Sequence, residues 1–137
     1  MNAKGIKTKF MAVILSVTLL LTVLPCTVAN AASEIGPRYL GGTAVYAKSS
    51  IYYSGAYGTT YAYVYDAGIH AEVTWSKYTY INQSTSEEGN MYGSNANTST
   101  ATVNYNAPSN CYSKKIECHH HASRVDEYWG AQTDATY

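Results

Sequence analysis

The chain has 137 residues, nine basic and nine acidic side chains, and 15 tyrosines. This length suits one small domain preceded by a short leader. The balanced charge offers no basic face, which argues against nucleic acid and anionic lipid as partners.

The first 31 residues have the three parts of a secretory signal peptide. Basic residues precede an apolar stretch at residues 10–25, and a small-residue cleavage pattern follows at residues 29–31. The apolar stretch is shorter than the ~20 residues that a membrane-spanning helix needs. We therefore expect cleavage after Ala31 or Ala32, an exported protein, and no membrane span after cleavage.

The composition of the remainder favours strands over helices. Three of the nine basic residues lie in the signal peptide, so six basic and nine acidic residues remain, a net charge of −3. Leu40 is the only leucine beyond residue 31, whereas all 15 tyrosines lie there. Abundant Tyr, Thr and Val favour β-structure, and a core made of them is thin.

Alternation of apolar and polar residues predicts strands in chain order, after a flexible leader at residues 32–42. Residues 43–53, 59–66 and 69–81 alternate and are separated by short glycine turns, which predicts an antiparallel meander. Residues 82–97 are polar and glycine-containing, so we expect a long loop with at most a short strand near Met91 and Tyr92.

Alternation returns in the last third of the chain. Residues 98–105, 116–125 and 129–137 are each predicted to form a strand. Six or seven short strands in about a hundred residues predict an all-β fold, a small antiparallel β-sandwich or barrel, as a single domain at residues 43–137. Trp75 has the parity of Val73 and is expected on the same buried face.

Cys111 and Cys118 are the only cysteines beyond the signal peptide. Two cysteines in an exported domain are normally oxidised, and the six residues between them can form a hairpin loop. We expect a disulfide that stabilises the thin core by about 2.5 kcal/mol.

Three consecutive histidines are the most distinctive polar feature. On a strand, His119 and His121 point to one side of the sheet and His120 to the other. Two imidazoles at this spacing can share Zn²⁺ or Cu²⁺, but a structural site needs four ligands and no second ligand cluster is present. An exposed polar strand face is the favoured interpretation, with metal binding by His119 and His121 as the alternative.

Tyrosines form two stripes of alternating residues: Tyr61, Tyr63 and Tyr65, and then Tyr78 and Tyr80. If exposed, they make a flat aromatic surface suited to sugar rings, wall polymer or a protein partner. The alternative is burial between sheets, which we favour for one of the two stripes. The sequence contains no Gly-x-Ser-x-Gly, His-Glu-x-x-His or phosphate-binding glycine loop, so we expect neither an enzyme nor a cofactor.

The C-terminal block carries a resemblance to known proteins. The segment His-Ala-Ser-Arg-Val, then Trp129, then Thr-Asp-Ala-Thr-Tyr at the end of the chain resembles the ending of short uncharacterised exported all-β proteins of Gram-positive bacteria. The general layout is also similar to the lactococcin-type bacteriocins, small exported β-sandwich proteins that interfere with cell-wall synthesis. This chain departs from them in its longer mature part, its negative charge and its cysteine pair, so no functional residue is carried over.

Together these observations predict a secreted, non-enzymatic binding protein associated with a cell wall or with a surface protein. Two alternatives remain open, a bacteriocin-like antimicrobial protein and an extracellular Zn- or Cu-binding protein.

Overall fold

The computed structural model describes residues 30–137, which form strands and turns with no helix. The expected signal peptide therefore lies outside the described residues, apart from its last two positions. The strands are β1 (Ala31–Leu40), β2 (Thr43–Tyr52), β3 (Gly55–Ala62), β4 (His70–Asn82), β5 (Glu88–Thr98), β6 (Thr100–Asn106), β7 (Cys111–Arg124) and β8 (Glu127–Thr136).

Two four-stranded antiparallel sheets pack face to face. Sheet 1 has the strand order β1-β2-β3-β6 and sheet 2 the order β5-β4-β7-β8. The chain crosses from sheet 1 to sheet 2 after β3, returns after β5 and crosses again after β6. The all-β sandwich predicted from alternation is confirmed, with eight strands rather than six or seven, and the sheets do not close into a barrel.

The flexible leader expected at residues 32–42 is wrong, because most of it forms the edge strand β1 and pairs with β2. The register of this pair shifts between Ile35 and Arg38, so Gly36 and Pro37 sit in a bulge. An edge strand tolerates proline because one side of its backbone is unpaired. Glycine and proline therefore marked a bulge here, not the absence of a strand.

The long loop expected at residues 82–97 is also wrong over most of its length. Residues 88–98 form the edge strand β5, which pairs with β4 along its whole length. Every residue of β5 is exposed or half-buried. Two of its half-buried inward positions are glycines, Gly89 and Gly93, so the strand shows no apolar alternation that the sequence pattern could reveal.

The inner faces of both sheets form the core, and two stacked aromatic rings are part of it. Tyr78 is completely buried and stacks on Tyr105, with ring centroids 5.3 Å apart and planes 13° apart. Their hydroxyls are satisfied within the core by Ser113 and Ser76, at 2.8 and 2.6 Å. The hydrogen bonds allow these rings to be buried without leaving an unpaired hydroxyl.

A polar layer crosses the core beside these rings. Buried His120 on β7 lies between two hydroxyls, with Nδ1 2.9 Å from Thr60 Oγ1 and Nε2 2.7 Å from Thr133 Oγ1. Removal from water, together with the neighbouring His119, lowers the pKa of His120 to about 4. The imidazole is therefore neutral at neutral pH and joins β7 to β3 of the opposite sheet.

The disulfide expected between Cys111 and Cys118 is absent, and both cysteines are free. They lie in one continuous strand, β7, rather than on the two arms of a hairpin. Seven residues of extended chain separate Cα atoms by roughly 23 Å, whereas a disulfide requires less than about 7 Å. The strand geometry excludes the bond.

Candidate functional site

The inner faces of the sandwich are occupied by the core, so a binding site must lie on the outer faces or at the ends. The two outer faces point in opposite directions because the sheets pack face to face. Each carries a group of partly exposed aromatic side chains, and a third group lies at one end of the sandwich.

The first group, which we call the tyrosine face, consists of Tyr46 on β2, Tyr61 on β3 and Tyr63, which directly follows the end of β3. Tyr46 and Tyr61 are paired across β2 and β3, and their rings stack with centroids 5.3 Å apart and planes 16° apart. The ring of Tyr63 is tilted against Tyr46 at 6.3 Å and is 74% exposed. The cluster thus joins two supported rings to one that projects into solvent.

Polar groups surround the tyrosine face without giving it a net charge. The hydroxyl of Tyr61 donates to Glu34 Oε2 at 3.1 Å, and Lys48 lies 3.9 Å from the same carboxylate. Burial, followed by the bond to Glu34 and its charge, raises the pKa of Tyr61 to about 12. The phenol is therefore protonated at any physiological pH. Thr59 follows on the same face and bonds to Thr102 at 2.9 Å.

Of the five tyrosines predicted to form a binding surface, Tyr61 and Tyr63 lie in the tyrosine face. Tyr65 is also exposed, but β3 ends at Ala62, so this residue lies in the following loop. The prediction that Tyr78 belongs to a binding surface is wrong, because its side chain is completely buried in the core. Tyr80 is half-buried and packs against the same core cluster. The expectation that one of the two stripes is buried applies to the second stripe, Tyr78 and Tyr80.

The predicted alternation of the histidines is confirmed. His119 is exposed and His121 half-exposed on the outer face of sheet 2, and His120 points inward. Glu72 lies between two imidazoles on this face, with Oε1 2.8 Å from His70 Nε2 and Oε2 3.4 Å from His121 Nδ1. Within residues 30–137, no group of three or more His, Cys, Asp or Glu side chains is arranged to hold a metal ion. The described residues therefore provide no third side chain that would complete a metal site with His119 and His121.

The second aromatic group lies on the outer face of sheet 2 and was not predicted from the sequence, because β4 contains a bulge. Thr74 is an extra residue relative to both neighbouring strands, since the register shifts after Val73 on each side. A bulge of this kind reverses the facing of the residues that follow. Trp75 consequently lies on the outer face, 38% exposed, rather than on the buried face with Val73.

Trp75 organises the outer face of sheet 2. Its ring lies 5.0 Å from the imidazole of His119 and 6.3 Å from the ring of Tyr92, which is 62% exposed. A depression of about 730 Å³ opens beside His119. Its lining residues are Glu72, Thr74, His119, His120, His121, Gly130, Ala131 and Gln132.

The third aromatic group is a cleft of about 410 Å³ at one end of the sandwich. Tyr53 stacks on Tyr112 at 6.0 Å and meets the edge of Tyr137 at 5.9 Å, and Gln83 donates to the hydroxyl of Tyr53 at 2.6 Å. These side chains come from distant parts of the chain. Sequence spacing alone could not bring them together.

Comparison with known proteins gives no match to a protein-family model, to a curated protein or to a solved structure. No helix in residues 30–137 has the length and apolar character needed to cross a membrane.

Proposed function

We propose that this is an exported, non-catalytic binding protein of a Gram-positive bacterium that attaches to an uncharged cell-wall polymer through the tyrosine face. The observation that carries the proposal is the exposure of clustered tyrosine rings on the outer face of sheet 1. Such rings offer large apolar contact area at low entropic cost, with a hydroxyl at the edge.

The chemistry around the rings favours a sugar polymer over a charged one. The apolar face of a sugar ring stacks on an aromatic ring, and its hydroxyls need donors and acceptors nearby. The hydroxyls of Thr59 and Thr102 lie beside the cluster, and the charge of Lys48 is balanced by Glu34. Since Tyr61 stays protonated, the face carries no net charge that would select an ionic ligand.

Charge argues against two other classes of partner. Beyond residue 31 the chain has six basic and nine acidic residues, so neither a nucleic acid backbone nor an anionic lipid surface would be attracted. Export rests on the signal-peptide pattern of the first 31 residues, which can be tested by finding the processed protein in culture medium.

The proposal is tested by sedimenting the purified protein with isolated Gram-positive cell-wall sacculi. We expect saturable binding that falls at least tenfold in a Tyr61→Ala/Tyr63→Ala double variant. The matched control is Tyr128→Ala, since Tyr128 is equally exposed but lies on β8 of sheet 2. Melting curves of the three proteins check that the fold is kept.

Absence of sedimentation, or equal binding by the double variant, would contradict the proposal. Colony counts of related Gram-positive cells exposed to the same protein separate it from the bacteriocin-like alternative. A dose-dependent fall in colonies would favour that alternative, and unchanged viability with wall binding would favour a surface-associated role.

A further inference from the structure

The depression on the outer face of sheet 2 includes one strand position that has no side chain. Gly130 on β8 is paired with His121 on β7, so both positions face outward. A Cβ placed on Gly130 would meet only the backbone oxygen of His120, at an ordinary 3.6 Å. The fold therefore does not require glycine here, and the open space above it is available to a ligand.

Glu72 and His121 lie next to each other at one side of this depression. His121 Nδ1 is buried and unpaired, although Glu72 Oε2 lies 3.4 Å away. The other oxygen of Glu72 is already engaged by His70. Glu72 lines the depression, so its Oε2, which accepts no hydrogen bond from His121, offers an acceptor to a ligand hydroxyl.

An aromatic wall adjoins the same space. His119 and Gln132 line both the main depression and a smaller one of about 260 Å³, and Trp75 borders the smaller one. The bulge in β4 holds Trp75 against His119, so the indole is supported from one side and partly exposed. A supported indole next to polar side chains is suited to the apolar face of a sugar ring.

We propose that this depression binds one or two units of an uncharged saccharide, as a site separate from the tyrosine face. Its volume falls within the roughly 300–1,000 Å³ of small-molecule sites. Its lining offers carboxylate, imidazole, hydroxyl and amide groups, the mixture of donors and acceptors that sugar hydroxyls need. No Lys or Arg lines it, which disfavours a phosphate or other anion.

The position of the site has a consequence for valency. The tyrosine face and this depression lie on outer faces of opposite sheets, so one molecule could hold two glycan strands on its two sides. Bivalent attachment raises the overall avidity without any new contact when both sites are engaged.

The test uses two uncharged probes, chitotetraose and cellotetraose, in calorimetric titrations of the purified protein. We expect saturable binding of at least one probe. Gly130→Thr should weaken it at least tenfold, because the new side chain fills the depression while a β-branched residue suits the strand. Trp75→Ala should also weaken binding, and Tyr39→Ala, at an exposed side chain of β1 that belongs to neither site, should leave it unchanged.

Two outcomes would overturn this inference: binding of neither probe at millimolar concentration, or an unchanged affinity in Gly130→Thr shown to be folded by its unfolding curve. The result is independent of the wall-binding proposal. Loss of sacculus binding in the Tyr61/Tyr63 double variant, with oligosaccharide binding retained, would separate the two sites. Loss of oligosaccharide binding in Gly130→Thr, with sacculus binding retained, would also separate them.

Discussion

The Sγ atom of Cys118 occupies the space directly opposite Gly58 in the core. A Cβ placed on Gly58 would lie 2.3 Å from this sulfur, closer than any real contact. The two residues come from facing sheets, β3 and β7, so the contact limits how closely the sheets approach. Position 58 requires glycine because of this close approach. Its backbone conformation is not the reason, since the φ of Gly58 is not positive.

The first prediction concerns this contact. Gly58→Ala forces a side chain against Cys118 and should lower the free energy of unfolding by about 1–3 kcal/mol. Gly130→Ala is the matched control, because a Cβ there meets only an ordinary contact and should leave stability equal or slightly higher. Urea unfolding of both variants gives the comparison, and equal midpoints would contradict the expected difference.

The second prediction concerns acid. The pKa of His120 is lowered from 6.5 to about 4 by burial, so the folded protein favours the neutral imidazole. The resulting stability is fully present above the unfolded pKa and is lost as pH falls from 6.5 towards 4. The loss should reach about 3 kcal/mol by pH 4, from 1.36 kcal/mol per pKa unit.

Unfolding measured in urea from pH 7 to pH 4 checks this slope, and a His120→Gln variant should flatten it. The lowered pKa of Asp66, caused mainly by its bonds with Thr43 and the Gly68 amide, acts in a different window. Its stabilisation is lost only below the unfolded value of 3.8. A slope that survives in His120→Gln between pH 6.5 and 4 would assign the effect to other groups.

The third prediction concerns the two thiols. Cys111 is half-buried and should react with a thiol reagent in the native protein. Cys118 is 1% exposed, and burial raises the pKa of its thiol to about 11, so it should react only after unfolding. A count of one fast thiol in the native protein and two in urea is expected. If no thiol reacted in urea, the two cysteines would instead form a disulfide, and this prediction would be wrong.

The fourth prediction separates core from surface tyrosines. Tyr78→Ala removes a fully buried ring stacked on Tyr105 and should cost about 3–5 kcal/mol of stability. Tyr63→Ala, at a side chain that is 74% exposed, should change stability by less than about 0.5 kcal/mol. Thermal melts of the two variants at neutral pH measure the contrast, which similar shifts in both would refute.

Sequence alternation predicted the sandwich because most strands have one dry face and one wet face. It succeeded at the histidines, where His120 alternates with its outward neighbours, and along β8. It failed where alternation is absent or interrupted. Strand β5 has glycines at two of its half-buried inward positions, and a single extra residue at Thr74 turned Trp75 outward.

The candidate sites were less predictable than the fold because they depend on contacts between distant residues. The stripe of Tyr61 and Tyr63 could be identified from spacing, but the supporting ring of Tyr46 comes from the neighbouring strand. The depression depends on Gly130, whose missing side chain matters only because His121 lies across from it. Such pairs are determined by the register between neighbouring strands, which could not be predicted from the alternation of residues.

The edge strands bear on how the protein behaves when it is concentrated. Open strand edges are templates for pairing with another chain, and proteins protect them with bulges, proline or short length. Strand β1 carries Pro37 within a bulge and β6 has only seven residues, whereas the edge strand β8 has ten residues and pairs with β7 in an unbroken register. The edges of sheet 1 are therefore protected against edge-to-edge pairing, and any such association between crowded molecules would use the edges of sheet 2.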